Sequence, residues 1–378
     1  MKTVSIFILI DALGWDYIKN RSFLDDICPV KRPVKSILGF SSGVIPSILT
    51  GAYPPEHKHW FLYYYSPKQN CFLWTAFFDW LPADWLNSRY TRKIVEEISK
   101  RLMGYSGYFE TYLIPVERLH LYDISENKRI YAPKGMRQGK NIFDILEARD
   151  VAYKCYAYPM KDQDIFFQAQ KDIQTAYSSF YFLYFSESDA YLHRGCKDQD
   201  GTRKMIDVYE QEIRTLYREA CRKYERVDMY IFSDHSMSPV YESHDLKAEI
   251  ETLGYKIPMD YVPFYDSTMA RFWFFNFQTR DAVVKLLKQK PYGRLLSLQE
   301  KKERHVHFED DLYGEELFLM KNGAVINPSY MGQKPPEGMH GYDVVDGTMD
   351  AILVSTRPPE VEVADVKDFF KIMERYAK

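Results

Sequence analysis

Near-continuous apolar runs alternate along this chain with segments whose apolar positions recur every three to four residues. The first run, Val4 to Ile10, has the character of a strand buried on both faces. Comparable runs predict strands over Val151–Tyr158, over Phe180–Phe185 (Phe-Tyr-Phe-Leu-Tyr-Phe) and over Met229–Phe232. Between them, Asn141–Ala148 reads as a short helix. Arg203–Tyr224 reads as a longer one, because Met205, Ile206, Tyr209, Ile213, Leu216, Tyr217, Ala220 and Cys221 fall at helical spacing. Strands alternating with helices predict an α/β fold: a mostly parallel central sheet flanked by helices.

Two segments interrupt this rhythm and read as cap segments inserted over the strand ends. Residues 60–135 hold a dense aromatic cluster, including Trp60, Phe61, Tyr63, Tyr64, Tyr65, Trp74, Phe77, Phe78, Trp80 and Trp85, and a predicted helix over Arg92–Met103. Residues 240–334 combine a helix over Arg280–Lys288 with strand-like runs at Ala270–Phe275 and Leu317–Met320, a smaller α+β unit. The core then comprises 1–59, 136–239 and 335–378, with Pro335-Pro336-Glu337-Gly338 marking the last return.

Composition narrows the function classes. Fifty basic against 53 acidic residues in 378 leave a net charge of -3, so no basic surplus points to a nucleic-acid polymer. No stretch approaches the ~18 apolar residues that a membrane span needs. The apolar start is closed by Asp11 without a small-residue cleavage site, which favours a strand over a signal segment. Five cysteines (Cys28, Cys71, Cys155, Cys196, Cys221) are scattered without a CxxC pair, so the expectation is a reducing, cytoplasmic setting. The 16% aromatic content, with 31 Tyr and 24 Phe, is the unusual figure. Those rings either pack the inserted lobe or face a ligand beside the site.

In open α/β sheets, ligands bind beyond the carboxyl ends of the strands. Asp11 follows the first predicted strand. Ser186-Glu187-Ser188-Asp189, then His193, follows the third, and Ser233-Asp234-His235 follows the fourth. Singly, each reads as a turn or cap residue, and a lone His340 as a structural histidine. Jointly they bring carboxylate and imidazole to one sheet edge, a donor set suited to divalent metals such as zinc. The segment Phe40-Ser41-Ser42-Gly43 leads into an apolar stretch ending at Thr50-Gly51. Ser41 or Ser42 would lie near a helix N-terminus, where free N–H groups and the helix dipole favour an anion.

With these residues in view, the chain resembles the alkaline phosphatase superfamily, and within it the type I phosphodiesterase/nucleotide pyrophosphatase branch. The run Thr50-Gly51-Ala52-Tyr53-Pro54-Pro55-Glu56-His57 is similar to the branch's Thr-Gly-x-Tyr-Pro-Glu-x-His, with Pro55 in place of Glu. The nucleophile of that branch lies nine positions before the Thr-Gly, which selects Ser41. Asp189-x-x-x-His193, Ser233-Asp234-His235 and His340-Gly341-Tyr342-Asp343 match its remaining motifs in order. The resemblance implies two divalent metal ions, zinc first with manganese as the alternative. One would be held by Asp189, His193 and His340, the other by Asp11, Asp234 and His235 with Ser41 bridging toward it. It further implies a small-molecule phosphoester substrate, attacked at phosphorus by Ser41 through a phosphoserine intermediate.

The departures are informative. Ser41 is followed by Ser42-Gly43-Val44-Ile45, which lacks the Pro and Arg of a sulfatase. The Asn that the branch carries about twenty positions after its nucleophile falls near Leu62. No Arg stands beside Ser41 to neutralise a phosphate dianion, which favours a diester or a nucleotide-type pyrophosphate over a monoester. A phosphomonoesterase or phosphomutase on the same core, and a non-catalytic binding protein on this fold, are the competing expectations. His57-Lys58-His59 is expected on a solvated loop. His305 and His307, with Glu303 and Glu309, are expected on the wet face of a strand, with a third metal site as the sharper alternative.

Overall fold

The computed structural model describes residues 2–78 and 87–378. Its largest sheet, among the described residues, has six strands in the order Val30–Val34, Ala351–Ser355, Arg226–Phe232, Thr3–Ile10, Phe180–Phe185 and Tyr153–Tyr156. Thr3–Ile10 pairs in parallel with both Phe180–Phe185 and Arg226–Phe232, and Phe180–Phe185 pairs in parallel with Tyr153–Tyr156. Only Ala351–Ser355 runs against the others, pairing antiparallel with both Arg226–Phe232 and the edge strand Val30–Val34. The expected mostly parallel α/β sheet flanked by helices is therefore present, with boundaries displaced by a few residues. The predicted strand over Val151–Tyr158 shortens to Tyr153–Tyr156, and the helix expected from Arg203 begins at Gln199, capped by Asp198.

The central strand explains itself by its alternation. Phe7 and Leu9 enter one core, while Val4, Ile6, Ile8 and Ile10 enter the other, so every position meets apolar neighbours. One face is covered by Asp162–Ile173 and Gln199–Lys223, through Ile165, Ala169, Ile206, Ile213 and Leu216. The other is covered by Ser41–Thr50, Ile142–Ala148 and Phe369–Tyr376.

Register then builds the functional edge. Ile10 lies opposite Phe185, and Leu9 opposite Phe232, so the neighbouring parallel strands end level with one another. Asp11, Ser186 and Ser233 each follow a strand end, at the same edge of the sheet.

Above that edge, Tyr261–Tyr265, Met269–Phe274, Glu316–Met320 and Gly293–Leu295 form a four-stranded antiparallel sheet. Tyr63–Tyr65 pairs with Tyr122–Ile124 nearby. Trp60, Tyr63 and Phe72 are buried in the same core as the nucleophile-side helices, as a packed lobe requires. Trp80 and Trp85 lie outside the described residues.

Two expectations are corrected. His57 and His59 are buried, not solvated. His57 Nε2 meets Ser47 Oγ at 2.9 Å, and His59 Nε2 accepts from the Arg137 backbone N–H at 3.0 Å, so each ring exchanges water for a specific partner. His305 and His307 are not on a strand. Glu303 ends the Leu298–Glu303 helix, the next residues are irregular, and His305 stacks on Tyr53 at 3.8 Å.

The lobe is pinned by Arg271, which is fully buried. Its Nε bonds Asp266 at 2.8 Å, its Nη1 bonds the Tyr63 carbonyl at 2.9 Å, and its guanidinium lies 4.1 Å from the Phe61 ring centre. Removing one partner of a buried ion pair strands the other and costs about 3–5 kcal/mol. Arg271→Met is therefore expected to lower the urea-unfolding free energy by about that amount. A loss under about 1 kcal/mol would mean that Asp266 finds another partner or is replaced by water.

Candidate active site

The nucleophile candidate is set by a tight turn. Gly39 has φ +138°, and a Cβ there would come within 2.6 Å of Trp60 Nε1. The indole N–H donates to the Leu38 carbonyl at 2.6 Å, locking the approach to the Ser41–Thr50 helix. Phe40 is the N-cap and offers no side-chain acceptor, so Ser41 occupies the first helical position; the Gly43 and Val44 N–H groups donate to the Phe40 carbonyl at 2.8 and 3.1 Å, which leaves those of Ser41 and Ser42 for a ligand. Gly43 lets the helix press on the Trp60 backbone, where a Cβ would meet the Trp60 carbonyl oxygen at 2.6 Å. Of the two serines, Ser42 Oγ turns away and donates to that carbonyl at 3.2 Å. Ser41 Oγ lies 3.0 Å from His235 Nε2 and 3.4 Å from Asp11 Oδ1.

The remaining residues converge as the strand register requires. Asp189 and His193 are one turn apart on the Glu187–Gly195 helix and so share a face; His193 Nε2 is 3.4 Å from Asp189 Oδ2. That helix is fixed by Asp162, whose carboxylate accepts from the Ser186 and Glu187 N–H groups at 3.1 and 3.2 Å. His340 Nε2 is 3.5 Å from Asp189 Oδ1, and its ring stacks on His235 at 3.9 Å. His235 Nε2 lies 3.1 Å from Asp234 Oδ2 and 3.6 Å from Asp11 Oδ1. Asp234 Oδ1 accepts the backbone N–H groups of Ala12 and His235 at 3.1 and 3.0 Å, leaving its other oxygen free.

Protons on the imidazoles are constrained. His193 Nδ1 is 2.9 Å from the Gly338 carbonyl, and His235 Nδ1 is 3.1 Å from the Ser236 carbonyl. A carbonyl only accepts, so each Nδ1 carries hydrogen and, in the neutral ring, each Nε2 presents a lone pair to the cluster. The single Ser41 hydroxyl proton has two neighbours, the Asp11 carboxylate and His235 Nε2. Burial and then the neighbouring His235 keep His340 well below the usual histidine range, that is, neutral. Burial, then Asp234 and Asp189, push Asp11 well above the usual carboxylate range. Burial also raises Asp189, but His193, then His340 and His235, outweigh it and hold it low.

This arrangement fits metal cations. Among the described residues, no Lys or Arg forms an ion pair with Asp11, Asp189 or Asp234. Asp189 Oδ1, Asp234 Oδ2 and His340 Nδ1 are buried without a hydrogen-bond partner. Donor atoms of Asp189, His193 and His340 lie within 4.8 Å of one another, as do those of Asp11, Asp189 and His235. The first group matches the set implied from sequence. In the second, Asp189 stands where Asp234 was expected, so Asp189 borders both groups, while Asp234 approaches the same His235 Nε2 at 3.1 Å.

One contributor was not legible in the motifs. Tyr184 donates to Asp11 Oδ2 at 2.5 Å. It sits one residue before the end of its strand, in the same core as the Ser41–Thr50 helix, which brings its hydroxyl to the site. The only available signal was a tyrosine on that alternating face.

A cavity of about 440 Å³ opens from Ser41, Asp11, Asp189, His193 and His340 toward the inserted segments, where Phe61, Tyr63 and Tyr112 line it. A parallel α/β sheet with carboxylates and imidazoles gathered around a serine at its carboxyl edge defines a metal-dependent esterase class of architecture. The sequence matches the family model "Type I phosphodiesterase / nucleotide pyrophosphatase" over residues 5–343, and the chain belongs to that family of phosphoric ester hydrolases. Among solved structures it is similar to murine ectonucleotide pyrophosphatase / phosphodiesterase 5, with a TM-score of 0.68 and 15% identity, covering 100% of this chain and 95% of that one. The human counterpart gives 0.69 and 12%, covering 99% and 94%. An inactive murine variant in complex with AMP gives 0.67 and 15%, covering 100% and 95%. At such identities the likeness is one of fold. No curated protein matches the sequence. No helix among the described residues is long and apolar enough to cross a membrane.

Groups that orient metal ligands change metal affinity about 10–100-fold when removed. Tyr184→Phe is expected to weaken metal binding by about tenfold while the thermal transition of the metal-free protein stays in place. Competition with a chromogenic chelator measures it, and unchanged affinity would make the Tyr184 contact incidental.

Proposed function

We propose that this chain is a phosphodiesterase in which Ser41 attacks phosphorus and is transiently esterified. Asp189, His193 and His340 would hold one divalent cation, and Asp11, Asp234 and His235 a second, with zinc first and manganese as the alternative. The observation that carries the proposal is Ser41 itself, at a helix N-terminus with its Oγ 3.0 Å from His235 and 3.4 Å from Asp11.

Bound cations would lower the pKa of the serine hydroxyl and offset charge on the phosphate oxygens. The protein's own groups do the rest. The Ser41 hydroxyl loses its proton, its Oγ–P bond forms, and the bond from phosphorus to one ester oxygen breaks, releasing an alcohol. In the second half, a water oxygen bonds phosphorus, the Oγ–P bond breaks, and Ser41 recovers a proton. The Ser41 and Ser42 N–H groups at the start of the Ser41–Thr50 helix would donate to the phosphate oxygens and stand in for the side-chain donor missing at Leu62.

Charge favours a diester. No Lys or Arg among the described residues lines the cavity, so a second anionic charge on a monoester would find no side-chain cation. The AMP complex of the murine relative supports a nucleotide-type substrate as one member of the accepted class. A monoesterase or phosphomutase would gain from a side-chain cation near the phosphate, and a binding protein has no use for an oriented serine.

With bis-p-nitrophenyl phosphate as substrate, Ser41→Ala is expected to lower kcat by at least about 10³-fold with metal content unchanged by elemental analysis, whereas Ser42→Ala keeps most activity. Loss in Ser42→Ala with retention in Ser41→Ala would transfer the nucleophile by one residue. Faster hydrolysis of p-nitrophenyl phosphate than of the diester would favour the monoesterase reading.

A further inference from the structure

The inserted lobe leaves an apolar stripe in solvent. Tyr90, Ile94 and Ile98 recur every fourth residue on the Arg89–Met103 helix and so share one face. All three are exposed, Tyr90 by 81% and Ile94 by 59%. The helix packs by its other side, where Val95 and Ser99 are buried and Ser99 Oγ accepts the Trp74 indole N–H at 3.0 Å. Trp74 belongs to the 3-10 turn Leu73–Phe78, in which residues three apart are eclipsed, so Phe77 leaves the turn on the same side as Trp74. Phe77 is 78% exposed. Single exposed apolar residues are ordinary on a protein surface, but a row of them on one helix face marks a contact surface.

A basic segment adjoins that helix. From Asn127 to Phe143 the chain carries Lys128, Arg129, Lys134, Arg137 and Lys140 and no acid, in a molecule whose net charge is -3. All five are exposed, and among the described residues none forms an ion pair. The segment meets the helix at its C-terminal end. The Ser106 N–H, two residues past the Gly104 cap, donates to the Asn127 carbonyl at 3.1 Å, and the Arg129 N–H donates to Ser106 Oγ at 3.3 Å. A Cβ on Gly135 would come within 2.2 Å of the Arg129 carbonyl oxygen, which sets Lys134 close to Arg129. The helix adds exposed Lys93 and Arg101 beside the stripe, where Glu97 is matched by Arg101 at 3.4 Å. Unpaired cations held together repel one another, a cost that an anionic surface relieves.

The two features together select the occupant. A soluble polyanion would use the cations and leave the stripe wet. A second copy docked about a two-fold axis would set the unpaired cations against themselves. An anionic bilayer uses both, since its headgroups balance the Lys and Arg side chains while ring and aliphatic tips enter the interfacial layer. From Tyr90 to Ile98 the helix rises roughly 12 Å, a length suited to lying in an interface and too short to cross one. We propose that this face of the lobe, the Tyr90–Ile94–Ile98 stripe with the Lys128–Lys140 segment, docks the protein on an anionic phospholipid surface.

Co-sedimentation of the full chain with vesicles tests this. Vesicles of equimolar phosphatidylcholine and phosphatidylglycerol are expected to bind at least about tenfold more tightly than vesicles of phosphatidylcholine alone, with release as ionic strength rises. Lys128→Gln combined with Arg129→Gln removes two cations and is expected to weaken that binding at least about tenfold, at about fivefold per charge near the surface. Tyr90→Ser combined with Ile94→Ser is expected to weaken it at least about tenfold by a factor that salt does not change. All four side chains face solvent, so both variants are expected to keep the parent's thermal transition. Equal binding to both vesicle types, binding insensitive to salt, or parent-like binding by either variant would overturn the proposal. Two further outcomes would overturn it by naming another occupant. Poly-glutamate bound through both residue pairs by a protein that leaves anionic vesicles alone would assign the face to an acidic protein partner. A dimer in light scattering that dissociates in the Tyr90 and Ile94 variant, again without vesicle binding, would assign it to a second copy.

Discussion

Three carboxylates and three imidazoles meet at the carboxyl edge of the central sheet, and no Lys or Arg among the described residues pairs with the acids. Asp11 and Asp234 are nearly or fully out of water, so their mutual repulsion is poorly screened. Folding alone gains nothing from such a gathering. It costs stability through desolvation and like charge, and the fold tolerates it because backbone N–H groups hold Asp234 and Tyr184 holds Asp11. The arrangement becomes sensible when divalent cations supply the missing positive charge. Imidazole nitrogens gathered with carboxylates are a donor set from which divalent-metal sites are built.

The rest of the architecture serves that cluster. Parallel register ends neighbouring strands level, which delivers Asp11, the Asp189 helix and Asp234 to one edge. The Gly39 turn and the Trp60 indole set the entry of the Ser41 helix, which puts the Ser41 hydroxyl and the Ser41 and Ser42 N–H groups at the helix start. The lobe reaches the site through His340: Thr268 Oγ1 donates to its carbonyl at 3.0 Å, and Gly341 at φ +82° turns the chain there. Arg271 joins Asp266 to the Tyr63 carbonyl and so ties together two segments whose residues line the cavity.

How much of this could be read from sequence depended on the range of the interactions. Strands buried on both faces leave an apolar run, and residues directly after such runs are placed by the strand itself, so Asp11, Asp189, His193, Asp234 and His235 were legible. His340 was legible only through its motif, because the Gly338–Met339 strand before it is too short to leave a pattern. The choice of Ser41 over Ser42 rested on an interval, and the physical reason is that Ser42 is occupied by the Trp60 carbonyl. His57 and His59 were misjudged because their partners, Ser47 and the Arg137 N–H, come from elsewhere in the chain while Lys58 between them looked solvated. Tyr184 left only a faint signal, since it is one tyrosine among the aromatics of its strand.

Anomalous diffraction from crystals grown with zinc or manganese tests the central claim most directly. The account expects strong peaks within coordination distance of Asp189, His193 and His340 and of Asp11, Asp234 and His235, with Ser41 Oγ facing the latter. A cluster without a peak, its carboxylates and imidazoles keeping only their contacts with one another, would contradict it.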